Sequence, residues 1–167
     1  MSYYFIQCKL NGNVIDIQGA STNAGALLDA YFQKSSGADN QLWEFVADPA
    51  GSGYYFIKNK LCGNVIDIQG ASTNDGALLD AYPQKSSANA NQLWQFYRDP
   101  AGSGYCFISC KLNGNVIDIQ RASSAPGARL DAYPMKSSQN ANQLWRVVGG
   151  TFPSTQALPV ARKTGAQ

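Results

Sequence analysis

NVIDIQGASTNAGALLDAYFQKSSGADNQLW, residues 13–43, returns as NVIDIQGASTNDGALLDAYPQKSSANANQLW at 64–94 and as NVIDIQRASSAPGARLDAYPMKSSQNANQLW at 115–145. The period is 51 residues: Trp43, Trp94 and Trp145 close three copies of NQLW, and Asp16, Asp67 and Asp118 stand in three copies of VIDI. Tyr4, Tyr55 and Cys106 open the same frame upstream. Units one and two agree at 40 of 51 positions, with no insertion or deletion. A fixed period of this kind marks a repeat architecture, in which each unit buries its apolar face against its neighbours.

Within a unit the pattern is that of short strands. YYFI, VIDI, ALLDAY and LWEFV are rich in β-branched and aromatic residues and are separated by Gly, Asn, Ser and Pro. No stretch sustains a helical period over three turns. DPAGSG at 48–53 and 99–104 is nearly pure turn signal at the junctions between units. Four strands in each of three units predict a closed all-β arrangement, because closure removes the sheet edges that separate four-stranded pieces would expose.

Composition excludes several classes of function. The chain has 167 residues and 18.0 kDa, the size of one domain. Charged residues are 14%, against about 25% in an average soluble domain. A net charge of +2 with 13 Lys and Arg provides no basic stripe, so no nucleic-acid partner is expected. No apolar run approaches the roughly 18 residues of a membrane span, so no membrane insertion is expected. There is no histidine, which rules out Ser-His-Asp and Cys-His catalysis, His-containing zinc sites and a histidine pH switch. Met1-Ser2-Tyr3-Tyr4-Phe5 is not the start of a signal peptide. No cofactor is implied, and the four cysteines lack the CxxC spacing of a thiolate metal site, so no metal is expected.

Gln41-Leu42-Trp43, Gln92-Leu93-Trp94 and Gln143-Leu144-Trp145 are QxW motifs, each preceded by an apolar-Asp-apolar strand and an aromatic at fixed offsets. On these residues the unit resembles one repeat of the ricin-B-type (R-type, QxW) lectin family, which has CBM13-like carbohydrate-binding modules among its relatives. The resemblance covers about residues 3–148. It implies an all-β β-trefoil of three 51-residue repeats with pseudo-threefold symmetry. The domain is then residues 1–149, with repeats at about 3–53, 54–104 and 105–149, and residues 150–167 form a C-terminal tail or linker.

The resemblance also implies a carbohydrate site in each repeat. An Asp accepts bonds from sugar hydroxyls, an aromatic stacks on the pyranose, an Asn adds a hydroxyl contact and the QxW Gln braces the Asp. These roles fall on Asp16, Tyr31, Asn40 and Gln41 in unit one; on Asp67, Tyr82, Asn91 and Gln92 in unit two; and on Asp118, Tyr133, Asn142 and Gln143 in unit three. Asp29, Asp80 and Asp131 stand two residues before each Tyr, on the same strand face, and supply a second carboxylate where relatives often carry Gln. The residue types suit the ligand: a pyranose offers a C–H patch to a rigid aromatic and a ring of hydroxyls to ionised acceptors. Gly19, Asn23, Ala24 and Leu27 become Arg121, Ala125, Pro126 and Arg129 in unit three, which marks the third site as the divergent one.

The cysteines are expected as free thiols. Repeats of this family with an internal disulfide carry it at the positions of Val14 and Gln33, so that framework is absent. A bridge between Cys8 and Cys110 near the threefold axis is the alternative left open. Free thiols lean towards a cytosolic setting, and a secreted one stays open if a signal was removed. The functional expectation is non-catalytic binding of terminal galactose or N-acetylgalactosamine glycans by up to three sites acting multivalently on a monomer. The alternatives are a carbohydrate-binding module of a polysaccharide hydrolase with a xylan-type or other plant polysaccharide ligand, a protein-binding trefoil and a designed symmetric scaffold.

Overall fold

The computed structural model describes residues 1–159; residues 160–167, the end of the expected tail, lie outside the described residues. Twelve strands follow one another: β1 (Ile6–Cys8), β2 (Val14–Ile17), β3 (Ala26–Tyr31), β4 (Trp43–Ala47), β5 (Tyr55–Asn59), β6 (Val65–Ile68), β7 (Ala77–Tyr82), β8 (Trp94–Arg98), β9 (Cys106–Cys110), β10 (Val116–Ile119), β11 (Ala128–Tyr133) and β12 (Trp145–Val147). The first and last strand of each unit build a six-stranded antiparallel barrel. Its pairs run β1–β12, β12–β9, β9–β8, β8–β5 and β5–β4. The ring closes where Tyr4 and Trp43 exchange backbone bonds of 2.9 and 3.0 Å.

The middle strands form three hairpins, β2–β3, β6–β7 and β10–β11, which cap the barrel. Their second strands meet in a triangle, β3–β7, β7–β11 and β11–β3. This is the β-trefoil that the resemblance implied. No helix of the described residues is long and apolar enough to cross a membrane. Each unit does contain two three-residue 3₁₀ turns, such as Gln18–Ala20 and Asp39–Gln41, which are too short for any periodicity in the sequence to announce.

The core explains the alternation within VIDI. Ile15 and Ile17, with their counterparts in the other units, face the central cluster around the fully buried Trp43, Trp94 and Trp145. Each indole Nε1 donates to the carbonyl of the first VIDI isoleucine, at 3.0, 3.0 and 2.9 Å to Ile15, Ile66 and Ile117. The same bond therefore ties each barrel strand to its cap hairpin, and the Asp between the two isoleucines is turned to the opposite face. Phe56 and Phe107 are buried in small satellite clusters, whereas Tyr3 and Phe5 are only half-buried.

All four thiols are free. Cys8 and Cys110 do not meet: their Sγ atoms donate separately to the carbonyls of Ala141 and Ala90, both at 3.3 Å. Residues 151–158 pack on the trefoil. Unit three carries Val147 where units one and two carry Phe45 and Phe96, and Phe152 folds back into the space. Its ring stacks on Phe96 at 4.6 Å and meets Phe45 edge-on at 5.7 Å. Gln156 adds two backbone bonds to β8, of 2.8 and 2.9 Å.

Candidate functional site

Three equivalent shallow cavities, of about 470, 510 and 470 Å³, open on the cap hairpins. In the first, Asp16 on β2 and Asp29 on β3 are direct cross-strand partners, and their side chains share one face. Asp67 pairs with Asp80 and Asp118 with Asp131 in the same register. All six carboxyls are nearly buried. Tyr31, Tyr82 and Tyr133 stand at the rims, 41%, 43% and 43% exposed, with their rings available to a ligand.

The 3₁₀ turn Asp39–Gln41 lays two amides over Asp16. Gln41 Nε2 donates to Asp16 Oδ2 at 2.8 Å and to the Phe32 carbonyl at 2.7 Å, while its Oε1 accepts the Lys34 amide at 2.9 Å. Asn40 Nδ2 donates to the same Asp16 oxygen at 3.1 Å and to the Ile17 carbonyl at 3.0 Å. Asn91 and Gln92 hold Asp67, and Asn142 and Gln143 hold Asp118, at matching distances. The three Gln are wholly buried and brace the Asp without reaching the cavity. Each Asn also spends both amide hydrogens on the protein, leaving only its oxygen to the site.

That oxygen is itself engaged. Lys34 Nζ donates to Asn40 Oδ1 at 2.8 Å, and Lys85 and Lys136 donate to Asn91 and Asn142 at 2.7 Å. These lysines line the cavities, and sequence reasoning missed them. A signal was present: each stands three residues after its Tyr at the 51-residue period. An ammonium with donors to spare can bond a ligand hydroxyl beside the Asp.

The paired carboxyls do not both ionise freely. Burial, and then the charge of Asp16, push Asp29 up to about 7. The same causes push Asp80 to about 7 and Asp131 to about 8. Asp16, Asp67 and Asp118 are also raised by burial, but Gln and the neighbouring carboxyl oppose the rise. Near neutral pH the second carboxyl of each pair is therefore only partly ionised. One oxygen of each second carboxyl, Oδ1 of Asp29, Asp80 and Asp131, is buried with no hydrogen-bond partner. The same oxygen is thus left unpaired and shut off from solvent in all three units.

Each cavity is completed by another unit. Gly127 of unit three lines the Asp16 cavity, Gly25 of unit one the Asp67 cavity and Gly76 of unit two the Asp118 cavity. This corrects the placement of the unit-three substitutions. Arg121 does line the third cavity, where it adopts φ +57 in place of a glycine and forms no ion pair with Asp118 among the described residues. Arg129, however, is in register with Asp29, and Ala125 and Pro126 lead into Gly127. The divergence is split between the first and third cavities, and the second is bordered by units one and two alone.

Among the described residues no group of three or more His, Cys, Asp or Glu side chains could hold a metal ion. The chain matches the family of ricin-type β-trefoil lectin domain-like proteins over residues 1–89 and 90–157. A 57-residue stretch is 39% identical to Mucoricin of Rhizopus delemar, covering 34% of this chain and 35% of that protein. The chain thus aligns with about a third of the length of this curated relative. Among solved structures, ThreeFoil, a designed threefold-symmetric protein, is 33% identical with a TM-score of 0.76, over 87% of this chain and 96% of its own. An exo-beta-1,3-galactanase from Clostridium thermocellum is 28% identical with a TM-score of 0.76, over 88% of this chain and 30% of the enzyme.

Proposed function

The chain belongs to the ricin-type β-trefoil lectin-like family, and from that premise we propose that it binds glycans without catalysis, through one shallow site per unit. The supporting observation is the threefold recurrence of an exposed tyrosine above a buried carboxyl pair braced by Asn and Gln. In this reading the pyranose stacks its C–H face on Tyr31, Tyr82 or Tyr133. Asp16, Asp67 and Asp118, with the Asn oxygens and the lysine ammoniums, bond its hydroxyls. Terminal galactose or N-acetylgalactosamine is the ligand proposed, and similarity to a galactanase supports a galactose-containing one. A single shallow site of this kind is worth about −4 kcal/mol, a Kd near 1 mM. Three on one rigid monomer raise avidity on clustered glycans by about 10²–10⁴ where spacing permits.

A binding role fits the carboxyls better than hydrolysis does. Glycosidase carboxyls flank the scissile bond. Asp16 and Asp29 instead stand directly opposite each other on neighbouring strands with their side chains on one face, an arrangement that does not flank a linkage from two sides. A second reading is favoured by the galactanase, of which the similar part is 30%: the trefoil serves as the carbohydrate-binding module of a longer polysaccharide-degrading protein.

The test is a glycan array that includes plant polysaccharides, run with and without chelator, on the native chain and on a triple variant Tyr31→Ala, Tyr82→Ala, Tyr133→Ala. The tyrosines are exposed, so the variant keeps the native circular dichroism. Expected is selective, chelator-resistant binding that falls at least about tenfold in the variant. Silence across the array, or binding that the variant retains, sinks the reading.

A further inference from the structure

Beside the first cavity, unit one departs from the other two at a single residue next to the rim tyrosine. Unit one carries Phe32 where units two and three carry Pro83 and Pro134. The backbone anchor is common to all three, since the QxW Gln donates to the carbonyl of this residue at 2.7, 3.0 and 3.0 Å. Only the side chain has changed. The Phe32 ring is 59% exposed and meets Tyr31 edge-on, with centroids 5.6 Å apart and planes at 62°. It thus places a second exposed aromatic ring beside Tyr31, just outside the residues that line the first cavity.

We propose that the first site carries a second sugar subsite on Phe32, so that it reads a disaccharide or longer glycan where the other two sites read one residue. This rests on the lectin reading above. An exposed phenyl has no hydrogen-bonding group to select a hydroxyl pattern, so the subsite takes whatever sugar presents a C–H face there. Its contribution is additional stacking rather than identity. Pro83 and Pro134 offer a smaller, non-aromatic surface at the same point.

Site-resolved NMR tests this. The amides of Tyr31, Tyr82 and Tyr133 report on the three cavities separately during titration with methyl β-galactoside and with β-1,3-galactobiose, and in parallel with xylose and xylobiose. The ratio of disaccharide to monosaccharide affinity is expected to be roughly three- to tenfold higher at Tyr31 than at the other two. F32P, which installs the residue native to the other units, is expected to bring that ratio down to theirs. The reciprocal P83F is expected to raise it at Tyr82. Equal ratios at the three tyrosines, or a Tyr31 ratio unmoved by F32P, overturn the subsite while leaving the lectin reading intact. Absence of shifts at every tyrosine with both sugar pairs overturns the lectin reading and the subsite with it.

Discussion

The residue that most sets the chemistry of each cavity is the second aspartate. Asp29, Asp80 and Asp131 hold their protons to about pH 7, 7 and 8 in the folded chain, against an ordinary value of 3.8. Burial and the partner carboxyl raise them, and Lys34 and Lys136 only partly oppose this at Asp29 and Asp131. A raised carboxyl favours folding while protonated, so its contribution is complete below about pH 4 and is lost as pH rises through 7 to 8. Thermal stability is expected to fall as pH rises from about 4 to about 8 and to level off above that. The triple variant Asp29→Asn, Asp80→Asn, Asp131→Asn, which keeps the shape without the charge, is expected to flatten that fall. A melting temperature in the native chain that does not change across this range excludes the raised carboxyls. The presence of these aspartates was legible from the sequence, as was their position on the tyrosine face. Their coupling was not, because it depends on β2 and β3 placing them directly opposite each other.

At the scale of elements, each site is built by two units. The hairpin of one unit supplies the carboxyls and tyrosine, and the loop entering the central strand of another supplies the wall. Gly25 shows why the wall is a glycine. Its φ is +84, and an added Cβ would stand 3.8 Å from Asp80 Oδ2, inside the second cavity. Gly25→Val is expected to cost about 1–3 kcal/mol of stability, from a β-branched residue in the left-handed region. It should also block binding at Tyr82, a unit away in sequence, while Tyr31 continues to respond. Loss at Tyr31 instead contradicts the interlocked arrangement. No reading of one unit could find this, since Gly25 stands in the same unit as Asp16 and the fold places it beside Asp80.

At the scale of the whole molecule, the symmetry is incomplete and the chain compensates. Val147 is smaller than Phe45 and Phe96, and Phe152 from beyond the last repeat supplies the third ring of the cluster. Phe152→Ala is expected to lower stability by about 3 kcal/mol, or roughly 6–12 °C in Tm, in chemical and thermal denaturation. A change within 1 °C shows that the segment merely rests on the surface. The sequence by itself determined the number of units, the strand-forming runs and a closed all-β arrangement, while the trefoil and the roster of Asp, Tyr, Asn and Gln followed from its resemblance to a known family. The units and strands are local patterns, copied at a fixed period and enforced by side-chain alternation. Tertiary structure alone decided which unit walls which cavity, that Arg129 stands by Asp29 rather than in the third site, and that Phe152 belongs to the core. The reason is physical: threefold closure brings together residues about a unit or more apart in the chain, and no pattern within a unit records which neighbour it will meet.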